Sequence, residues 1–271
     1  MTTRLPASGA KRALVVGAAL ISGATALATA HPAMASTTAH HPHRVDYVAL
    51  GDSYASAPLV PDQVDASCGR SSNNYPSLVT RSSAAAKLTD VTCSGATTAA
   101  MTAPQGTAAP QLDVVNRQTD LVTLTIGGND IGFTTVLGTC AKLSATDPAG
   151  APCRDHLAGS GTDRVTESIA ATAPKVAEVI RGIHRRAPHA KVVVVGYPDI
   201  FPEDPEDGVG CTSASVPPAA GDFACLRDEE KELNSMLAHQ ARLGGATYVN
   251  TYAPTVGHDL CARVGKWWNR P

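Results

Sequence analysis

Ser53 lies in a Gly51-Asp52-Ser53 turn that directly follows a short apolar segment, residues 48–50. In open α/β sheets, ligands bind beyond the carboxyl ends of the strands, which is where this turn would lie. A serine hydroxyl at such a position can act as a nucleophile if a base accepts its proton and hydrogen-bond donors stabilise the developing negative charge. A Gly-Asp-Ser triplet by itself is more often only a turn.

Two further blocks follow the first in the chain, and each also comes after a predicted strand. They are Cys93-Ser94-Gly95-Ala96-Thr97 and Gly127-Gly128-Asn129-Asp130. Each block alone is a weak signal, because Gly, Asn and Asp all tolerate turn geometry. The three blocks together, in this order, are much more specific. We expect Asp52 and Asp130 to fix their turns rather than to react.

Strand-like and helix-like segments alternate along the chain, which predicts a parallel sheet with helices on both faces. The predicted strands are residues 45–50, 88–93, 121–126, 191–196 and 246–250, and the predicted helices are residues 75–87, 165–186 and 226–243. Residues 139–162 and 198–223 are expected to be long loops. No linker divides the chain, so one α/β domain is expected from residue 45 to residue 271.

The first 35 residues are typical of a secretory signal. Arg4, Lys11 and Arg12 precede an apolar, small-residue run that ends in the A-x-A site Ala33-Met34-Ala35. A membrane-spanning helix is disfavoured because the run is short and rich in glycine and alanine. Cleavage after Ala35 would leave 236 residues, of which residues 36–44 are expected to be a flexible segment.

Charge and composition exclude several function classes. Removing three basic residues with the signal leaves 19 basic against 24 acidic side chains, and no basic run suggests nucleic acid binding. The His40-His41-x-His43 cluster is a candidate metal site, but a solvated tail is favoured because no further ligands lie at fixed spacing. With 2 Trp and 4% aromatic residues, a polysaccharide-binding platform has little support. Neither a metal nor another cofactor is expected.

Seven cysteines lie outside the signal, and none forms a C-x-x-C pair. They are Cys68, Cys93, Cys140, Cys153, Cys211, Cys225 and Cys261. An exported chain with this many cysteines is expected to be held by disulfides. Because seven is odd, at least one thiol remains unless it pairs between chains.

The three blocks resemble those of the GDSL, or SGNH, hydrolase family, and the chain is most similar to its secreted actinobacterial (Streptomyces-type) lipases and esterases. The resemblance runs from about residue 45 to the end. It implies a three-layer αβα sandwich of the flavodoxin-like kind and a secreted enzyme that hydrolyses small-molecule or lipid esters. We expect a monomer. The resemblance also implies that Ser53 is the nucleophile, and that Gly95 and Asn129 join the N–H of Ser53 in an oxyanion hole. No stable membrane anchor is expected after signal cleavage.

The same resemblance implies three disulfides. They are Cys68 with Cys93, Cys140 with Cys153, and Cys211 with Cys261. Cys225 departs from this layout, so it is expected to be a free thiol or a competitor of Cys261 for Cys211.

The family's catalytic histidine lies in a late Asp-x-x-His-Pro block, which this sequence does not contain. The tail matches the family through His258 to Cys261 and the Trp267-Trp268-Asn269 region, and ends at Pro271. We therefore expect a chain without its usual C-terminal block, and a catalytically impaired or inactive homologue is the alternative to an active esterase. His258, beside Asp259, is a weak candidate base, while His156, His184, His189 and His239 are better explained as surface residues.

Overall fold

The computed structural model describes residues 44–83, 86–159, 164–203, 211–213 and 216–263. The predicted signal, the histidine cluster and the Trp267-Trp268-Asn269 region lie outside these residues. The same is true of all but the last residue of the predicted flexible segment 36–44.

A five-stranded sheet forms the centre of the fold, and all of its neighbouring strands are parallel. Its strands are β1 (Val45–Gly51), β4 (Ala86–Asp90), β5 (Leu121–Thr125), β6 (Lys191–Val195) and β7 (Thr247–Val249), in the spatial order β4-β1-β5-β6-β7. A separate antiparallel hairpin contains β2 (Gln63–Asp65) and β3 (Arg70–Ser71). Ordered along the chain, the main sheet is 2-1-3-4-5, which is the flavodoxin-like arrangement. The predicted α/β fold is confirmed.

Seven α-helices are found in the described residues. They are α1 (Ser53–Ser56), α2 (Tyr75–Ser82), α3 (Phe133–Ser144), α4 (Pro152–Ala158), α5 (Arg164–Arg186), α6 (Phe223–Leu243) and α7 (Tyr252–Thr255). Short 3₁₀ helices occupy Thr98–Met101, Gln111–Val114 and Ala220–Asp222. The long helices α5 and α6 pack against each other beside the sheet. None of the described helices is both long and apolar enough to cross a bilayer.

The helix predicted over residues 75–87 is too long. Asn74 caps its start by accepting a hydrogen bond from the Ser77 N–H, but the helix ends at Ser82 and Ser83 is extended. Residues 86–90 pair in parallel with β1 instead. Sheet pairing thus overrides the helix propensity of Ala86 and Lys87, and the strand predicted over residues 88–93 begins and ends earlier.

The prediction of a loop over residues 139–162 is wrong. Helix α3 extends to Ser144, and α4 follows at Pro152. Cys140 and Cys153 are both fully buried and joined by a disulfide, so this segment contributes to the core. The few large apolar residues in this stretch conceal the helices, because buried cysteines supply part of the packing.

Two further disulfides join Cys68 to Cys93 and Cys211 to Cys261, while Cys225 forms no disulfide within the described part of the chain. These are the pairs that the family resemblance implies. In residues 198–223, the described part contains only the short 3₁₀ helix before α6. Helix α6 begins at Phe223, three residues before its predicted start at residue 226.

Candidate active site

The first and third blocks meet because their strands are neighbours. Gly51, at the end of β1, lies opposite Thr125, at the end of β5, and the Asp52 N–H donates to the Thr125 carbonyl at 3.0 Å. Gly51 has a φ of +148°, and a Cβ at this position would lie 2.6 Å from the Thr125 carbonyl oxygen. A glycine is therefore required where strands β1 and β5 approach each other closely. The strand order changes direction at this pair, which places Ser53 in the crevice expected for ligands.

The second block is attached to both of the others. The Cys93 N–H donates to the Gly51 carbonyl at 3.0 Å, and the Cys68–Cys93 disulfide holds this segment to the turn between β2 and β3. Asn129 Nδ2 donates to the Ala96 carbonyl at 2.8 Å. Three segments that are distant in the sequence are therefore linked by backbone and amide hydrogen bonds.

Asp130 provides a second link between these blocks. Its carboxylate accepts hydrogen bonds from the Thr98 N–H at 2.8 Å and from the Thr98 hydroxyl at 2.5 Å. The Asp130 side chain is 4% exposed. Asp130 therefore does more than shape its own turn, because it fixes the position of the 3₁₀ helix that follows the second block.

Ser53 begins helix α1, and Asp52 is the capping residue. Asp52 Oδ1 accepts a hydrogen bond from the Tyr54 N–H at 3.0 Å, so the N–H of Ser53 remains available at the start of the helix. Neither this N–H nor that of Gly95, whose φ is +78°, has an acceptor within the described residues. Asn129 uses one of its two amide hydrogens on Ala96, so the second is also available.

A cavity of about 390 Å³ opens beside Ser53 and Asn129, and both residues line it. This volume is at the small end of the range for ligand pockets, about 300–1,000 Å³. Its apolar walls come from the start of α3, the start of α5, the segment after β6 and one face of α6: Ile131, Phe133, Val136, Val165, Ile200, Leu226 and Leu233. Gly95 is not part of this lining.

Two carboxylic acids, Glu229 and Glu230, interrupt the apolar wall. Both are buried, and burial raises the pKa of Glu230 well above its usual value. The Ile200 N–H donates to Glu230 Oε2 at 3.2 Å. The raised pKa favours an uncharged acid, which suits an otherwise apolar cavity.

The Tyr197 side chain connects the first and third blocks. Its hydroxyl donates to Asp52 Oδ2 at 2.5 Å and accepts from the Gly128 N–H at 2.8 Å. Burial raises the pKa of Asp52 to about 7, although the hydrogen bond from Tyr197 opposes this shift. Because Tyr197 touches both turns, it sets the position of Ser53 relative to Asn129.

We expect Tyr197→Phe to lower the free energy of unfolding by about 1–3 kcal/mol, because the Gly128 N–H and a carboxylate oxygen of Asp52 would lose their buried partner. The matched control is Tyr47→Phe, which removes a buried hydroxyl bonded to neutral Thr123 at 2.8 Å. Urea denaturation at about pH 8, where Asp52 is charged, should give the larger loss for Tyr197→Phe. Equal losses in the two variants would contradict this prediction.

The raised pKa of Asp52 also predicts a pH dependence of stability. The native pKa of Asp52, about 7, lies above the ordinary pKa of 3.8 for this side chain, so the folded state binds more protons between these limits. The contribution of Asp52 to the free energy of unfolding is fully present below its pKa in the unfolded chain. This contribution is lost as the pH rises through its pKa in the folded protein. The free energy of unfolding of the parent minus that of Asp52→Asn should therefore fall between about pH 4 and about pH 8. A difference that rises over this pH range would contradict the raised pKa of Asp52 in the folded protein.

Sequence reasoning did not identify Tyr197 or Gln111 as part of the site. Gln111 is buried, and its amide exchanges two hydrogen bonds with the backbone of Gly51, at 2.7 and 3.0 Å. Tyr197 follows the carboxyl end of β6, and this position is a signal that could have identified it. Gln111 lies in a polar connection between strands and carries no comparable signal.

None of the five described histidines lines the cavity that contains Ser53. His258 lies just after α7, where its N–H donates to the Thr255 carbonyl at 2.9 Å. The nearby Leu260 N–H donates to the carbonyl of Ile200, which does line the cavity. The segment that follows His258 is thus bonded to the backbone of a residue that lines the cavity. In the described part of the chain, no group of three His, Cys, Asp or Glu side chains could hold a metal ion.

Comparisons with known sequences give a consistent result. A model of the GDSL-like lipase/acylhydrolase family matches residues 49–271. Lipase 2 of Streptomyces coelicolor is 42% identical over 251 residues, covering 90% of this chain and 81% of that protein. A lipase of Streptomyces rimosus is 32% identical over 255 residues, covering 93% of this chain and 85% of that protein.

Solved structures show the same similarity. The crystal structure of the extracellular lipase from Streptomyces rimosus has a TM-score of 0.66 at 31% identity and covers 81% of this chain and 85% of its own. The phospholipase A1 from Streptomyces albidoflavus has a TM-score of 0.65 at 27% identity, with 84% and 87% covered. The similarity therefore extends well beyond the three short blocks.

Proposed function

The chain belongs to the GDSL-like lipase/acylhydrolase family and is a carboxylic ester hydrolase, and we propose that it acts as a secreted serine esterase or lipase through an acyl-Ser53 intermediate. The observation that carries the mechanism is that Ser53 and Asn129 line one cavity of about 390 Å³. A nucleophile and an amide donor in the same small cavity are two of the groups that acyl transfer to serine requires, and the third is a base that accepts the proton of the hydroxyl.

The proposed reaction has two steps. The Ser53 oxygen attacks the ester carbonyl carbon, and the proton of the hydroxyl ultimately leaves with the alcohol when the C–O bond breaks. Water then attacks the acyl-Ser53 ester, and its hydrolysis releases the carboxylic acid and restores the hydroxyl. Each step passes through a tetrahedral intermediate with negative charge on the former carbonyl oxygen.

We assign the stabilisation of that charge to three donors. They are the N–H of Ser53, the N–H of Gly95 and the second amide hydrogen of Asn129. The hydrogen bond from Asn129 to Ala96 supports this assignment, because it fixes the amide without using all of its donor capacity. Fixed donors need no reorganisation when the charge develops, which makes them effective in catalysis.

The two sides of Asn129 suit the two parts of an ester. The apolar cavity fits the acyl chain and has room for on the order of ten non-hydrogen atoms, if each occupies about the 30 Å³ of a liquid water molecule. Asn129 also lines a wider depression of about 780 Å³ whose wall includes Thr98 and Lys175. The alcohol part is assigned to this more polar side.

Export is part of the proposal. The A-x-A site at Ala33-Met34-Ala35 and three disulfides support secretion into an oxidising environment. The cysteine pairs would be kept reduced in the cytosol, where they could not strengthen the fold.

The test is covalent labelling of the folded chain with a fluorophosphonate ester, followed by mass spectrometry of the peptide that contains Ser53. We expect one adduct on Ser53 and none in Ser53→Ala. The variant His258→Ala should be labelled at the parent's rate, because His258 does not line the cavity. An adduct on a different residue, or no adduct on the folded protein, would refute the acyl-Ser53 mechanism.

A further inference from the structure

The loop of residues 57–62, here called the rim loop, has an unusual backbone. Ala57, Leu59 and Asp62 have φ values of 60°, 65° and 63°, in the left-handed region that non-glycine residues rarely adopt. Such conformations persist only where the surrounding structure enforces them, and they occur often at functional sites. The rim loop directly follows helix α1, which begins with Ser53.

The rim loop has one side toward the cavity and an apolar residue toward solvent. Ala57, Pro58 and Val60 line the cavity that holds Ser53, whereas Leu59 between them is 97% exposed. Scattered exposed apolar residues need no explanation, but Leu59 lies between residues that line the cavity. Val64, 66% exposed, follows a few residues later in β2.

Hydrogen bonds hold the rim loop in this shape. The Gln63 amide donates to the carbonyls of Ala57 and Val60, at 3.0 and 2.7 Å. The Ser71 hydroxyl donates to the Pro61 carbonyl at 2.6 Å. The exposed side chain of Leu59 is therefore presented by a loop that is already ordered, so little conformational entropy would be lost when it binds.

The charges around the rim loop are balanced. The Asn73 amide donates to Asp62 at 3.0 Å and accepts from Arg81 at 3.2 Å, so these opposite charges are bridged. Asp65 is paired with Arg70 at 2.6 Å. Without a surplus of basic side chains, this surface is suited to a lipid aggregate without net charge rather than to an anionic membrane.

We propose that the rim loop inserts Leu59 into the surface of a lipid aggregate without net charge, and so places the cavity mouth against its own substrate. Acyl chains would then enter the cavity past Pro58 and Val60 without crossing water. This proposal rests on the proposed ester hydrolase function and narrows its substrate to aggregated lipid esters.

The test compares Leu59→Asn with the control Leu243→Asn. Asparagine is close to leucine in size, is polar and tolerates a positive φ, so the substitution removes apolar character without adding strain. Leu243 is 68% exposed and lies ten residues beyond the cavity residue Leu233 on α6, or about 15 Å along the helix. Binding is measured by sedimentation with phosphatidylcholine vesicles, with Ser53→Ala in every chain to prevent hydrolysis.

We expect Leu59→Asn to weaken vesicle binding by about tenfold and Leu243→Asn to leave it unchanged. In chains that retain Ser53, Leu59→Asn should lower turnover of an emulsified triacylglycerol but not that of a soluble acetate ester. Equal vesicle binding by Leu59→Asn and the parent would overturn the proposal, as would equal losses on soluble and emulsified esters. Failure of every chain to hydrolyse the soluble ester would instead refute the proposed function.

Discussion

Replacement of Ser53 by alanine is expected to lower kcat for a soluble ester by about 10⁴-fold or more, because no acyl-enzyme can form without the hydroxyl. The loss should be in kcat rather than in KM, since the cavity that binds the acyl chain is unchanged. Steady-state hydrolysis of a soluble acetate ester, with the folded state checked by circular dichroism, measures the effect.

Ser56→Ala is the matched control for this experiment. Ser56 lies on the same short helix, and its buried hydroxyl has no hydrogen-bond partner among the described residues. Removal of an unsatisfied hydroxyl is nearly neutral for stability, and Ser56 does not line the cavity. If Ser56→Ala lost as much activity as Ser53→Ala, the loss in Ser53→Ala would reflect a disturbed helix α1 and not the removal of a nucleophile.

Replacement of Asn129 by alanine is expected to lower kcat by about 10²–10³-fold with little change in KM, because its second amide hydrogen acts only on the charged intermediate. Asn129→Asp should be slower than Asn129→Ala. The aspartate would keep the size of the side chain but would place a negative charge beside the oxyanion and the Ala96 carbonyl. The two variants therefore separate hydrogen-bond donation from the filling of space.

Asn116→Ala is the control for Asn129. Asn116 is exposed, bonds to the Val114 carbonyl within its own turn and lies outside the cavity lining. Activity within twofold of the parent is expected for this variant. If Asn129→Ala also retained the parent's kcat, Asn129 would have no role in stabilising the oxyanion, whatever the result for Ser53.

The central strands could be predicted because their sequences are nearly continuous apolar runs between turn residues. Residues 121–126 and 191–196 illustrate this, since β5 and β6 begin at the predicted residues and end one residue earlier. Helix α5 was also predicted within one residue, even though Pro174 lies inside it. The pattern of apolar residues that identifies each of these elements lies within its own sequence, so no information about distant residues was needed.

Other elements depended on partners that a local pattern does not contain. The segment of residues 86–90 contains residues that favour a helix, but it forms a strand because it pairs with the edge of β1. Helices α3 and α4 gain their stability from a buried disulfide and from packing on the core. Local propensity is a weak preference, and tertiary contacts override it where the two compete.

The sequence by itself determined which groups are available for the proposed chemistry, because a serine, a glycine and an asparagine in three turns after strands carry their functional groups wherever the chain places them. Only the tertiary structure decided the relation between these groups. Tyr197 bridges Asp52 and Gly128 across 145 and 69 residues, α6 supplies part of the cavity wall, and a loop with three positive φ angles exposes Leu59 beside residues that line the cavity. The physical reason is that parallel strands meet through long connections, so their shared edge is assembled from contacts that have no local sequence signature.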